Sequence, residues 1–212
     1  EVFWGGMPVQ QSQTAQALAP VAKMFPDAGH AVWRDGGDYL LFCNSIVGTK
    51  GFGNHKHNDQ LSFEFHHDGR PLIVDPGSWV YTSDFDARNK FRGTGYHNTV
   101  MVDNEEQNET RSEWIFRLFD SGTPEHLAFD ADGPCVAYSG RHVGYSRLDD
   151  PVVHRRDFLY EKSTGVLVLR DTFTGNALHL LRWHFHLAPN VKIFSSNGAV
   201  VWFENGGDGL YG

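Results

Sequence analysis

From Gly29 onward, the chain consists of short runs rich in β-branched and aromatic residues, separated by turns that contain Gly, Asp or Asn. Two of these turns, Asp35-Gly36-Gly37-Asp38 and Asp68-Gly69, lie between such runs and predict β-hairpins. Many short strands with closely spaced turns are typical of an antiparallel sandwich or jelly roll. We therefore predict an all-β fold, an antiparallel β-sandwich that is jelly-roll-like. The predicted strands are His30–Arg34, Tyr39–Asn44, Leu61–His66, Pro71–Val74, Asn98–Val102, Trp114–Asp120, Val136–Arg141, His154–Glu161, Val166–Phe173, His179–Leu187, Lys192–Phe194 and Val200–Glu204.

Three segments interrupt this pattern. Ser12–Met24 is rich in Ala, Gln and Leu and stops before a proline, which predicts one short helix or a linker. The polar segments Asn104–Arg111 and Ser121–Pro134 are interpreted as surface insertions between strands. We predict that residues 1–27 are a linker or short helix left from an upstream region. Residues 28–212 would form the sandwich domain, truncated at its C-terminus because the last residues look like a turn before another strand.

Composition excludes several classes of protein. A chain of 212 residues that is 40% hydrophobic can bury about 70% of its unfolded surface, unlike a disordered tail or a disulfide-stapled miniprotein. Its longest apolar runs, such as Tyr39–Cys43, are far shorter than the ~20 residues of a membrane-spanning helix, so no membrane insertion is expected. A net charge of -8 argues against nonspecific binding to nucleic acid. Cys43 and Cys135 permit at most one bridge, and two buried free thiols are the favoured interpretation.

The segment richest in side chains that could bind a metal or transfer protons is the glycine-spaced loop Gly51–Asp59, which contains His55 and His57. In an extended segment, residues two apart share a face, so the two imidazoles are expected to project the same way. One could bind a metal while the other remained free for proton transfer or charge stabilisation. The alternative is a solvated polar loop.

Two further polar residues stand at predicted strand ends. Asp75 follows the apolar run before Pro76-Gly77, and His97 precedes the strand Asn98–Val102. Together with His57 they would make a His-Asp-His set that suits zinc with one open position. The alternatives are an Asx-turn at Asp75 and packing of His97 against Tyr96.

Several segments within Phe25–Gln107 together match one known family in order, spacing and residue type. They are Phe25-Pro26-Asp27-Ala28-Gly29, Trp33-Arg34-Asp35, Gly53-Asn54-His55-Lys56-His57-Asn58-Asp59-Gln60-Leu61-Ser62-Phe63, Asp68-Gly69-Arg70-Pro71-Leu72-Ile73-Val74-Asp75-Pro76-Gly77, Tyr81-Thr82 and His97-Asn98-Thr99-Val100-Met101-Val102-Asp103. With these segments the chain resembles the C-terminal β-sandwich of the heparinase II/III-like polysaccharide lyases. Beyond Gln107 it resembles the family only as a run of strands.

The resemblance implies a function and a role for each site residue. The family joins an N-terminal α-helical toroid to this sandwich, which is of the supersandwich type, and cleaves acidic polysaccharides by β-elimination. The resemblance implies that His57, Asp75 and His97 bind a mainly structural zinc and that His55 faces the substrate carboxylate. Because the toroid usually supplies the proton-transferring tyrosine and histidine, the isolated chain is expected to be inactive. The family also implies a bacterial periplasmic or secreted location.

Basic residues near the motif are candidates for substrate binding. Lys56, Arg88 and Arg92 could attract an anionic sugar chain despite the acidic total charge, and arginine could pair with a uronate through two hydrogen bonds. Lys90 is interpreted as a solvated loop charge. Packing is the favoured role for the tyrosines nearest the motif, Tyr81 and Tyr96.

The remaining histidines and aromatic residues predict structure rather than chemistry. Arg182, His184 and His186 alternate with apolar residues and indicate a sandwich strand, with a substrate-facing surface as the alternative. His66-His67 looks like part of a solvated hairpin. The tryptophans, including Trp33, Trp79, Trp114 and Trp202, are too dispersed in sequence to identify a sugar platform.

Two other classes of function remain open from the residues alone. A His-x-His pair with later acidic and histidine residues also occurs in cupin-like metal oxygenases and isomerases. The chain could also be a non-catalytic module that binds polysaccharide without chemistry. Heparan-like chains, alginate, hyaluronate-like chains and bacterial exopolysaccharides are all candidate substrates.

Overall fold

The structure is a computed structural model that describes residues 19–48, 53–119, 121–198 and 200–205. These described residues form strands, one short α-helix, α1 (Phe85–Phe91), and one 3₁₀ turn (Thr94–Tyr96). The strands are β1 (Val21–Phe25), β2 (His30–Asp35), β3 (Asp38–Cys43), β4 (Ser62–His67), β5 (Arg70–Ile73), β6 (Val100–Val102), β7 (Glu109–Thr110), β8 (Leu118–Phe119), β9 (Pro124–Asp130), β10 (Cys135–Tyr145), β11 (Val152–Glu161), β12 (Val166–Thr174), β13 (Leu181–Trp183), β14 (Val191–Ser196) and β15 (Val201–Asn205).

Two antiparallel sheets form the sandwich. The first has the order β1-β2-β3-β4-β5 and the second the order β12-β11-β10-β9. Both predicted hairpins are confirmed, since Asp35 pairs with Asp38 and His67 with Arg70. The all-β class and the sandwich are therefore confirmed. Three two-stranded ladders, β6 with β13, β7 with β8 and β14 with β15, complete the described strands.

The main core lies between the two sheets. Alternate residues of β2, β3 and β4 point inward and meet inward residues of β10 and β11, as expected of strands with one buried face. The Phe42 ring stacks on the Tyr138 ring at 4.6 Å and 3° across the interface. The core cluster consists of Ala31, Trp33, Leu40, Phe42, Phe63, Phe65, Val136, Tyr138, Phe158 and Tyr160.

Several sequence predictions were wrong in detail. The described end of the predicted helix Ser12–Met24 is strand β1, whose partner β2 supplies its backbone hydrogen bonds, while residues 12–18 lie outside the described part. Ser121–Pro134 contains strand β9 rather than only a loop. In Asn104–Arg111, which was predicted to be a surface insertion, Gln107 and Asn108 are fully buried because their side chains hydrogen-bond the loop after His57.

Two other expectations concern cysteines and membranes. Cys43 and Cys135 are both free thiols, and burial raises the pKa of Cys43 strongly. Within the described residues, no helix is long and apolar enough to cross a bilayer.

Candidate active site

The loop before β4 carries both histidines of the motif and is anchored to the segment around β8. Gly53 has a φ of 77°, and a Cβ added there would stand 1.9 Å from the Leu118 carbonyl oxygen. Only glycine fits such a close approach. The backbone N–H of Gly53 donates to Val47, and that of Leu118 donates to Gly53. This packing fixes the position of the loop two residues before His55.

His55 is exposed and held from two sides. Its backbone has a φ of 54°, and its N–H donates to the Phe116 carbonyl at 2.9 Å. Its ring lies 5.0 Å from the Phe116 ring and 5.7 Å from the Tyr81 ring, nearly parallel to the latter. The Tyr81 hydroxyl is 3.0 Å from His55 Nδ1. Nε2 is the ring nitrogen left for a ligand.

His57 has different partners from His55, although an extended loop was expected to project both rings the same way. Positive φ at His55 breaks the extended geometry on which that expectation rested. Arg88 Nη1 lies 2.9 Å from His57 Nε2, and Ser78 Oγ lies 3.4 Å from it. Burial, then the charges of His97 and Arg88, lower the pKa of His57 to about 4. Since arginine can only donate, His57 is a neutral imidazole with its proton on Nδ1.

Asp75 and His97 form a hydrogen-bonded pair beside His57. Asp75 Oδ2 is 2.6 Å from His97 Nδ1, and the rings of His57 and His97 are 5.2 Å apart. Burial alone would lower the pKa of His97, but the bond to Asp75 and nearby carboxylates outweigh it and raise the pKa. The same bond lowers the pKa of Asp75 against the effect of burial. Asp75 Oδ1 also accepts from Gly77 N at 2.8 Å, so the Asx-turn forms as well.

These three residues fit zinc in their chemistry. Two imidazoles and one carboxylate are common zinc ligands, and within the described residues His97 Nε2 is buried without a hydrogen-bond partner. Across residues 19–48, 53–119, 121–198 and 200–205, however, no three His, Cys, Asp or Glu side chains are arranged to hold a metal ion. Asp75 and His97 bond each other, and His57 Nε2 accepts from Arg88. A metal bound through His57 Nε2 would have to displace Arg88 from that lone pair.

The predicted substrate-binding residues are not free cations on a groove. Arg92 is buried and donates to the carbonyls of Trp114, Arg117 and Arg111, so it has a structural role instead of the predicted substrate contact. Lys56 bonds Ser45 and lies 3.8 Å from Asp59.

Arg88 is also buried, but it contacts the site directly through His57. Arg88 is a buried residue of helix α1, whose start is fixed by Asp84, which accepts from Ala87 N. Sequence reasoning missed this helix, whose seven residues are too few to show a helical period. The Asp84 cap was the available signal.

A buried ion pair in the second sheet is hydrogen-bonded to the backbone next to the site. The Arg156 guanidinium donates to both Asp171 oxygens, at 2.7 and 3.0 Å. It also donates to the carbonyls of Leu61 and Asn98, at 2.9 and 2.7 Å. Asn98 directly follows His97, so Arg156 ties β11 to the backbone that presents the Asp75–His97 pair. Nothing in the sequence around Arg156 indicated this role.

The other histidines lie apart from the His55–His57 loop or have structural partners. His179 bridges Asp103 and Asp150, at 2.6 and 2.8 Å. The predicted strand His179–Leu187 is shortened to β13, and Trp183 is about half exposed rather than buried in the sandwich. His184 and His186 are partly buried beside the 3₁₀ turn, where His186 stacks on Tyr96 at 6.1 Å.

Comparison with known proteins gives the family. The family model described as heparinase II/III-like, C-terminal, matches residues 18–211. The chain belongs to this family. A curated heparin-sulfate lyase from Bacteroides thetaiotaomicron is 28% identical over 210 residues, and the match covers 91% of this chain and 27% of that protein.

Solved structures of the same kind share the fold. A heparinase III structure superposes with a TM-score of 0.67 at 23% identity, covering 84% of this chain and 26% of that one. A heparan sulfate lyase from Pedobacter heparinus gives a TM-score of 0.64 at 20% identity, covering 82% and 25%. The chain thus spans about a quarter of the length of the relatives it matches.

Proposed function

We propose that this chain is the C-terminal domain of a polysaccharide lyase that cleaves a uronate-containing acidic polysaccharide by β-elimination. The observation that carries the proposal is His55, an exposed imidazole held by Phe116 and Tyr81, in the same loop as the partly buried His57 and in a chain of the heparinase II/III-like family. A curated relative is named heparin-sulfate lyase. Heparan sulfate is therefore the first substrate to test.

β-Elimination makes three chemical demands. The uronate carboxylate must be neutralised so that the adjacent C5 proton becomes acidic, that proton must be removed, and the departing glycosidic oxygen must be protonated. His55 would serve the first demand by donating from Nε2 to the carboxylate. That tautomer requires Tyr81 to donate its hydroxyl proton to Nδ1, at the observed 3.0 Å. The two proton transfers are assigned to an N-terminal α-helical toroid that completes the active site.

We also propose that His57, Asp75 and His97 hold a zinc ion whose role is mainly structural. Zinc at strand ends would cross-link the loops that present His55 and restrain them against the sheet. Purified full-length protein should contain about one zinc per chain. His97→Ala should lose it, whereas His66→Ala, near a hairpin end where the ring lies 5.1 Å from the Tyr39 ring, should retain it. Elemental analysis that finds no metal in folded protein would remove the zinc site.

The activity itself is tested with the full-length protein on heparan sulfate, hyaluronan and alginate. Elimination leaves unsaturated uronate ends that absorb ultraviolet light, which hydrolysis does not produce. We expect such ends from at least one polymer, and none from the 212-residue chain alone. Polymer binding without new ends would instead favour the non-catalytic module. We further propose a periplasmic or secreted location, supported by the family resemblance alone and testable by cell fractionation.

A further inference from the structure

Trp79 stands out because it combines backbone strain with exposure. Its φ is 56°, in the left-handed region that large side chains rarely adopt. Its side chain is 75% exposed, whereas a tryptophan normally gains stability by burying its ring. Such strain persists only where surrounding structure holds it, and it is concentrated at ligand-binding sites.

The indole is not randomly oriented on the surface. It stacks on Phe91, the last residue of α1, with ring centroids 6.0 Å apart and planes 18° apart. Phe91 in turn packs on Tyr96 at 4.8 Å. One face of the indole thus packs on Phe91, which is itself supported by Tyr96, and the high exposure places the rest of the ring in solvent.

The residues around Trp79 place it at the candidate active site. Ser78, directly before it, contacts His57 Nε2, and Tyr81, two residues later, contacts His55 Nδ1. Asp75, at the start of the same segment, bonds His97. One stretch of seven residues therefore supplies three contacts to the site and an open aromatic surface between them.

We propose that Trp79 is a stacking platform for a pyranose ring of the polysaccharide, one subsite away from the residue that His55 contacts. A pyranose has a face of C–H groups that packs on an indole, while its hydroxyl and acidic groups point outward. The sequence alone did not indicate this platform. The rings that support Trp79 come from α1 and the 3₁₀ turn, and only the fold brings them together. The inference rests on the proposed function for the identity of the sugar chain.

Its test uses the full-length protein and a heparan sulfate hexasaccharide, with binding measured by calorimetry and elimination by ultraviolet absorbance. Trp79→Ala should weaken binding and raise KM by about three- to tenfold while kcat changes less than about twofold. Trp79→Phe should recover most of the affinity. Trp202→Ala, which removes another exposed tryptophan on β15, should change neither. Trp79→Gly, which suits the positive φ, is the second variant if Trp79→Ala fails to fold.

The outcomes separate this inference from the proposed function. If the wild-type protein binds the hexasaccharide in a Trp79-dependent manner but makes no unsaturated ends, the platform stands and the lyase assignment fails. If it cleaves and Trp79→Ala keeps its KM, the platform is refuted. A lower melting temperature with unchanged affinity would also refute it, and would show that the indole packs against protein.

Discussion

Replacing Arg156 by methionine should be among the most destabilising single changes in the second sheet. Arg156 is fully buried, and Asp171 is only 5% exposed. The substitution removes both hydrogen bonds between them and leaves the carboxylate with the His154 and Trp183 side chains as its remaining partners in the described structure. It also takes a donor from the Leu61 and Asn98 carbonyls.

The magnitude follows from the burial of this pair. Breaking a buried ion pair by removing one partner costs about 3–5 kcal/mol, because the other charge stays desolvated. Natural domains have a free energy of unfolding of about 5–15 kcal/mol, so this is a large part of the total. Arg155 provides a matched control on the same strand. Its side chain is 45% exposed and pairs with Asp157 at the surface, so Arg155→Met should cost less than about 1 kcal/mol.

Urea denaturation of both variants measures the difference. Arg156→Met should shift the midpoint far below that of Arg155→Met, and Arg156→Met/Asp171→Asn should recover part of the loss because a buried amide is cheaper than an unpaired carboxylate. Equal midpoints for Arg155→Met and Arg156→Met would refute the assigned role of the buried pair.

Two further predictions concern stability. His179 lies between Asp103 and Asp150, whose hydrogen bonds raise its pKa. The stabilisation of the folded state by protonated His179 is fully present below the unfolded-state pKa near 6.5 and is lost as pH rises through the folded-state pKa. The loss of melting temperature in His179→Gln should therefore be larger at pH 5.5 than at pH 9, and an equal loss at both would contradict the ionic bridge. Gly53→Ala should destabilise by about 1–3 kcal/mol more than Gly69→Ala, since both have positive φ but only Gly53 faces a carbonyl oxygen within 2 Å; comparable melting curves would argue against this packing.

The strand pattern predicted the fold because it depends on local signals. Gly36-Gly37 and Asp68-Gly69 allow tight turns that do not depend on contacts with distant parts of the chain. Both hairpins form as predicted. The proximity of Asp75 and His97 was also predictable, since each stands near a strand end. The contact between His57 and Arg88 was not, because it depends on how α1 packs against the loop before β4.

What the sequence could not show depends on long-range contacts. The buried state of Arg92 follows from three carbonyls that lie 19–25 positions away in the chain. The indole of Trp79 becomes a platform only when α1 places Phe91 behind it. In both cases the residue type is compatible with either role, and tertiary packing decides.

In the proposed function, His55 contacts the substrate during β-elimination. The most direct measurement is the rate at which the full-length protein forms unsaturated uronate ends on the polymer it cleaves, comparing His55→Ala with His66→Ala at equal zinc content and equal melting temperature. We expect His55→Ala to lower kcat at least about a hundredfold, the range typical of a positioned acid–base or charge-stabilising group, while His66→Ala remains within about twofold. Unchanged elimination by His55→Ala would show that His55 does not act on the substrate.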